Sequence, residues 1–120
     1  MAFHNDFGKR GEDIAKEYLE NKGYHLLKLN WKHSRAEIDL IVKHENTLVF
    51  VEVKTRSSLN FGNPEDFVDW KKEQQMEFAA LGFIEMSNHE GEIRFDVIAI
   101  DFEDKNKYNI NHIEDAFWPS

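Results

Sequence analysis

Three residues of this chain could do chemistry together: Asp39, Glu52 and Lys54. Asp39 lies in the run Glu37-Ile38-Asp39-Leu40-Ile41-Val42. Glu52 and Lys54 close the run Leu48-Val49-Phe50-Val51-Glu52-Val53-Lys54. Both runs are rich in β-branched and aliphatic residues and read as strands, with a short polar hairpin link over residues 44–47. Side chains alternate along a strand. Ile38, Leu40 and Val42 therefore share one face, and Glu37, Asp39 and Ile41 the other. Val49, Val51 and Val53 oppose Leu48, Phe50, Glu52 and Lys54 in the same way. In an antiparallel hairpin the charged ends of the two runs lie side by side, so Asp39, Glu52 and Lys54 converge at one end of a sheet.

Burying an unpaired carboxylate is expensive, and two adjacent carboxylates repel unless a cation sits between them. Mg2+ prefers such oxygen donors and keeps several waters. A lysine two residues beyond the glutamate points the same way, where it could orient an attacking water or neutralise a phosphate. The set suits phosphodiester hydrolysis. A salt-bridged strand pair on a solvent-facing sheet would use the same residues, and an acid followed by Glu-x-Lys also arises by chance.

The remaining elements must position these groups. Residues 7–22 place Phe7, Ile14, Ala15, Tyr18 and Leu19 at helical spacing, with Asn5 and Asp6 as N-cap candidates and Gly23 as the stop. Gly8 and Gly11 would permit close approach by another backbone. Glu12 falls at the edge of the apolar stripe. It is either a solvated first-turn glutamate favoured by the helix dipole or a third carboxylate reaching toward the sheet. Residues 24–30 read as a strand and residues 31–35 as a basic connection, with Trp31 in the core and His33 at the surface. Beyond Lys54, the hydroxyls of Thr55, Ser57 and Ser58 and the guanidinium of Arg56 suit phosphate contacts or an ordinary strand exit. Residues 59–64 read as a loop, a substrate flap in an enzyme of this kind. Residues 64–86 hold a second helix with a broad stripe of Phe67, Trp70, Met76, Ala79, Ala80 and Phe83. Its Lys71, Lys72, Gln74 and Gln75 are solvated, or one of them faces phosphate. Residues 93–101 form a clear strand on which Arg94 and Asp96 can pair. Residues 102–107 are turn-like, and residues 108–113 suit a final edge strand. The order α-β-β-β-α-β predicts an α/β fold with a mixed central sheet flanked by helices.

A length of 120 residues predicts a single domain over 1–120. The absence of cysteine excludes disulfides and thiolate metal sites and fits a reducing compartment. Without a long apolar run or a basic-then-apolar leader, the expectation is a soluble cytoplasmic protein with no membrane contact. A net charge of -8 opposes simple nucleic-acid binding. The charge is unevenly spread, however. Residues 1–35 carry seven Lys/Arg against five Asp/Glu, and residues 85–120 carry three against nine. The acidic last third is expected to lie away from any phosphate backbone.

The element order, with Asp39 and Glu52-Val53-Lys54 on its second and third strands, resembles the PD-(D/E)xK nuclease superfamily. The match extends to Phe7-Gly8, Gly11-Glu12-Asp13-Ile14-Ala15, Tyr18-Leu19, Gly23-Tyr24, Asn30-Trp31, Glu37-Ile38-Asp39-Leu40-Ile41, Thr55-Arg56, Phe61-Gly62 and Arg94-Phe95-Asp96-Val97-Ile98. Together these motifs resemble the YraN family of endonuclease-like proteins, similar in core to archaeal Holliday junction resolvases. The resemblance implies a restriction-endonuclease-like αβββαβ core. It implies that Asp39 and Glu52, with the Val53 carbonyl, hold Mg2+ or Mn2+, and that Lys54 is the catalytic lysine. Glu12 matches the helix glutamate of resolvase-like members, and Glu37 a family glutamate two residues before the aspartate. Lys72, followed by Gln74 or Gln75, resembles a lysine and glutamine of the second helix. Ala36 departs from the glycine common before Glu37, which bears on the turn rather than on the acids.

The implied activity is that of a metal-dependent endonuclease acting on DNA, including branched or recombination intermediates, with Thr55 and Arg56 as accessory groups and a homodimer as the implied assembly. Two alternatives stay open. One is a noncatalytic nucleic-acid-binding protein that keeps the nuclease fold. The other is a protein-interaction module with a protein partner, which suits the acidic last third.

Overall fold

Seven elements follow one another in a computed structural model that describes residues 2–57 and 70–118, with side chains from Gly8 onward. They are α1 (Ala2–Asn21), β1 (His25–His33), β2 (Ala36–His44), β3 (Thr47–Ser57), α2 (Trp70–Ser87), β4 (Glu92–Asp104) and β5 (Lys107–Ile113). The strands form one sheet in the order β1-β2-β3-β4-β5. β3 and β4 are parallel and the other neighbours antiparallel, so the sheet is mixed, as the element order predicts. The expected Phe61-Gly62 motif, substrate flap, Ser58 and first turns of the second helix, including Phe67, lie outside the described residues.

Two apolar clusters hold the layers together. On one face Ala15 and Leu19 of α1 pack with Leu40, Val42, Val49, Val51, Ile98 and Ile100. On the other, Met76, Ala79, Ala80 and Phe83 of α2 pack with Ile41, Leu48, Phe50 and Phe95. Gly23 ends α1 as expected. Its φ of 93° lets the Tyr24 and Gly23 N–H groups reach back to the carbonyls of Leu19 and Glu20 at 3.0 Å. Tyr24 then folds onto Leu19 in the same cluster, completing a Schellman stop.

Four local expectations are corrected. Asn5 and Asp6 do not cap α1, which begins at Ala2. A cap preference of about 1 kcal/mol is a weak boundary where preceding residues can be helical. Residues 31–33 are strand rather than basic connection, and the link shrinks to Ser34 and Arg35, with Ser34 at a positive φ of 56°. The strand is extended because Trp31 packs edge-on against Phe83 of α2, and the His33 ring stacks on Trp31. Residues 102–104 continue β4 because they pair with β5. Last, Ile38 joins Ile41 on the α2 side instead of sharing a face with Leu40 and Val42. The alternation breaks at Asp39. Opposite it in β1 lies Asn30, at a left-handed φ of 51° that asparagine tolerates better than most residues.

The expected Arg94–Asp96 pair exists and is part of a larger network. Asp96 is fully buried and accepts from Arg94 Nε and Nη2, each at 2.8 Å, and from the Asp115 backbone N–H at 3.0 Å. The His112 ring lies 2.7 Å from it through Nε2 and contacts the Tyr18 hydroxyl through Nδ1 at 3.2 Å. Burial alone would raise the Asp96 carboxyl. The His112 and Arg94 bonds outweigh it and hold the group below its ordinary value. The network ties β4 and β5 to α1 by way of Tyr18 and His112, with Asp96 level with Val51, one residue short of Glu52 on β3.

Candidate functional site

The β2–β3 ladder stops at the pair Leu40–Val51, while β2 stays paired to β1 as far as Ala36. The sheet therefore forks at Asp39. In place of a backbone carbonyl, the Asp39 carboxylate accepts the Val53 N–H, with Oδ2 at 2.8 Å. One residue earlier on β3 stands Glu52, whose side chain continues the Phe50 face toward α2 and is only 4% exposed. Lys54 Nζ lies 3.2 Å from Glu52 Oε2. Lys72 Nζ, from α2, lies 3.5 Å from Oε1. Despite that ion pair, Oε1 is buried with no hydrogen bond among the described residues.

α1 brings the third acid. Gly11 is buried against Thr55, and a Cβ there would overlap the threonine hydroxyl. Gly11 thus permits the expected close approach, although to a side chain; Gly8 meets nothing within 4 Å. The approach sets Glu12 beside the fork, half-buried and hydrogen-bonded to the Asn30 side chain. Burial lifts the Glu12 carboxyl above its usual value. The Asn30 bond opposes the lift, and the charges of Glu37, Asp13 and Glu52 add to it. Asp39 is pushed up to about 8, mainly by burial and then by the charge of Glu52; the Val53 N–H pulls it back, Glu12 raises it further and Lys72 lowers it. Each acid at the fork thus costs its neighbour free energy when ionised, the condition a divalent cation relieves.

Glu12, Glu37, Asp39, Glu52, Lys54 and Lys72 are therefore brought into one electrostatic cluster. Two accessory candidates have contacts of their own. Thr55 faces α1 at Gly11. Arg56 is 6% exposed and holds Asp101 through Nε and Nη2 at 2.6 and 2.7 Å, so its guanidinium is placed in a buried structural pair rather than at a phosphate. Gln74 and Gln75 are exposed on α2. Sequence reasoning missed Asn30 as a member of the cluster. Its signals were an asparagine inside an otherwise strand-like run and the Asn30-Trp31 motif of the resemblance, neither of which gave it a role.

The donor set fits a hard cation only in part. Asp39 and Glu52 supply carboxylate oxygens, and Glu52 Oε1 is a buried acceptor without a hydrogen bond. Among the described residues, no three His, Cys, Asp or Glu side chains are gathered tightly enough to form a protein-only cage. An ion that retains several waters needs no such cage. Among those residues, too, no helix is long and apolar enough to cross a membrane.

A mixed sheet between two helices, with an aspartate and Glu-x-Lys at a strand fork, defines a restriction-endonuclease-like core. Residues 11–100 match the model of a family described as "Uncharacterised protein family UPF0102". The chain is 48% identical over 118 residues to a UPF0102 protein of Flavobacterium psychrophilum, covering 98% of each. A relative from Christiangramia forsetii gives the same identity and coverage. One from Thermodesulfovibrio yellowstonii is 44% identical over 113 residues, covering 94% of this chain and 96% of its own. The chain belongs to UPF0102, the endonuclease-like YraN family.

Proposed function

We propose that this protein is a cytoplasmic, metal-dependent endonuclease acting on DNA, including branched or recombination intermediates. One observation carries the reading. Asp39 and Glu52 are held together in a poorly solvated fork where their charges oppose each other, and Glu52 Oε1 is left without a hydrogen bond among the described residues. Asp39, Glu52 and the Val53 carbonyl would hold Mg2+ or Mn2+. When bound, such an ion lowers the pKa of water and offsets charge on a phosphate. The chain's own groups do the rest. Lys54 Nζ stands against Glu52, where it can orient a water or face a phosphate oxygen. Glu12, whose carboxyl burial raises above its ordinary value, holds a proton more readily than a solvated glutamate and stands where it can exchange one with water. A two-fold dimer would present two such sites to a two-fold substrate.

Calorimetric titration with Mn2+ tests the carrying observation. Wild type should bind, and Asp39→Asn and Glu52→Gln should lose binding. Equal binding by all three would defeat the reading.

A second reading has its own support. Lys54 and Lys72 already balance Glu52 in this structure. A noncatalytic module that binds nucleic acid or a protein partner would keep these pairs and need no ion. It predicts DNA binding or partner capture that is indifferent to divalent cations, and no cleavage.

A further inference from the structure

Beside the acid cluster runs a groove between the β1–β2 turn and α2, lined by Ser34, Arg35, Ala36, Lys71, Gln74, Gln75 and Phe78. The α2 residues fall at positions i, i+3, i+4 and i+7, one stripe of the helix. The stripe passes from a cation through two amides to an aromatic ring and spans roughly 10 Å at 1.5 Å per residue. Lys71, Gln74, Gln75 and Arg35 are exposed, and the Phe78 side chain remains 51% exposed although its ring contacts His33 at 5.0 Å. Among the described residues, neither Arg35 nor Lys71 is in an ion pair, in a chain of net charge -8. Each wall of the groove is one residue along the chain from a member of the cluster. Ala36 precedes Glu37, and Lys71 precedes Lys72, the residue that reaches Glu52.

We infer that this groove is the track for an unpaired nucleic-acid strand entering the site, with Arg35 and Lys71 on phosphates, Gln74 and Gln75 on base edges or sugar, and a base stacked on Phe78. The inference rests on the proposed nuclease reading and narrows its substrate to one with a single-stranded portion beside the cut. Cations and amides alone would suit a duplex backbone equally well. The exposed ring decides the matter, because a base in an intact duplex already has both faces stacked, and an unpaired base has a face to offer. A protein partner is the competing occupant. It is disfavoured because the groove pairs two cations with side-chain amides and only one large apolar side chain.

The test is fluorescence anisotropy with a labelled 20-nucleotide single strand and the matching duplex, in chelator so that no cleavage occurs. Wild type should bind the single strand more tightly. Phe78→Ala should weaken single-strand binding by roughly five-fold or more and leave the duplex unchanged, following the usual worth of one stacked base. Arg35→Gln with Lys71→Gln should weaken the single strand about ten-fold and lower its log-affinity slope against log-salt by about 1.4. Because these side chains are exposed, the variants should melt like wild type. Phe78→Leu, which keeps apolar bulk without a ring, should behave like Phe78→Ala. Groove variants that bind like wild type would overturn the inference, while metal-dependent cleavage by the same preparations would leave the nuclease reading standing. Wild type that binds neither probe would overturn the inference, and absence of cleavage as well would remove the reading beneath it.

Discussion

Asp39→Asn should make the protein more stable in alkaline solution, an uncommon outcome for a polar residue at a strand fork. In the folded chain the Asp39 carboxyl is pushed from 3.8 up to about 8. Between those values the native state holds a proton that the unfolded chain has lost, so stability falls as pH rises through that window. The separation is roughly four pH units at about 1.36 kcal/mol each, a ceiling on the order of 5 kcal/mol. Water reaching the fork and adjustment of Lys54 and Lys72 should reduce this to about 2–3 kcal/mol. Asparagine keeps an oxygen for the Val53 N–H and places an uncharged amide beside Glu52. Urea unfolding at pH 5, 7 and 9 would read the effect. Wild type and variant should be close at pH 5, with the variant more stable at pH 9 by about 2 kcal/mol. Saturating Mn2+ should close the gap by stabilising wild type alone, by about 2.7 kcal/mol at a hundred times the dissociation constant. Parallel stability curves across pH, or a variant weaker at pH 9, would refute the electrostatic reasoning.

Three further outcomes follow from the same geometry. Arg56→Met should destabilise the fold by about 3–5 kcal/mol in denaturant titration, because Asp101 would be left charged and buried without its bidentate partner. Gly11→Ala should cost about 1–3 kcal/mol by driving a methyl into Thr55, and Thr55→Ala in the same chain should restore much of that loss in thermal melts. Asn30→Gly keeps the left-handed backbone but removes the amide from Glu12, so the fold should survive while Mn2+ affinity falls about three- to ten-fold by calorimetry. Adding Asn30→Gly to Glu12→Gln should then cause little further loss.

The strand runs, the hairpin and the Glu-x-Lys face were legible in the sequence because half-buried strands carry a period of two and the Gly23 stop follows from local chemistry. Ile38 escaped that logic. Strict alternation assigns it to Leu40's face, and only the register between β1 and β2, with Asn30 left-handed opposite Asp39, shows the switch. Arg56 escaped for a different reason. Its neighbours in sequence suggested phosphate, but its partner Asp101 is 45 residues away and reaches it only through the parallel β3–β4 register. Periodicity could not choose among Lys71, Lys72, Gln74 and Gln75; the family resemblance pointed to Lys72, and the way α2 packs on the sheet turns it to Glu52. The Asp96 network could be read only as a local pair, since His112, Tyr18 and Tyr24 reach it from three other parts of the chain.

The central claim is that Asp39, Glu52 and Lys54 form a cation-dependent site for cutting DNA. Its most direct test is cleavage of labelled single-stranded, duplex and four-way-junction DNA with Mg2+ or Mn2+, wild type beside Glu52→Gln and Lys54→Ala. The account predicts cutting by wild type that chelator abolishes, at least a hundred-fold loss in each variant, and preference for substrates with an unpaired strand. Cutting that survives Glu52→Gln, or wild type that cuts none of the three with either ion, would contradict it.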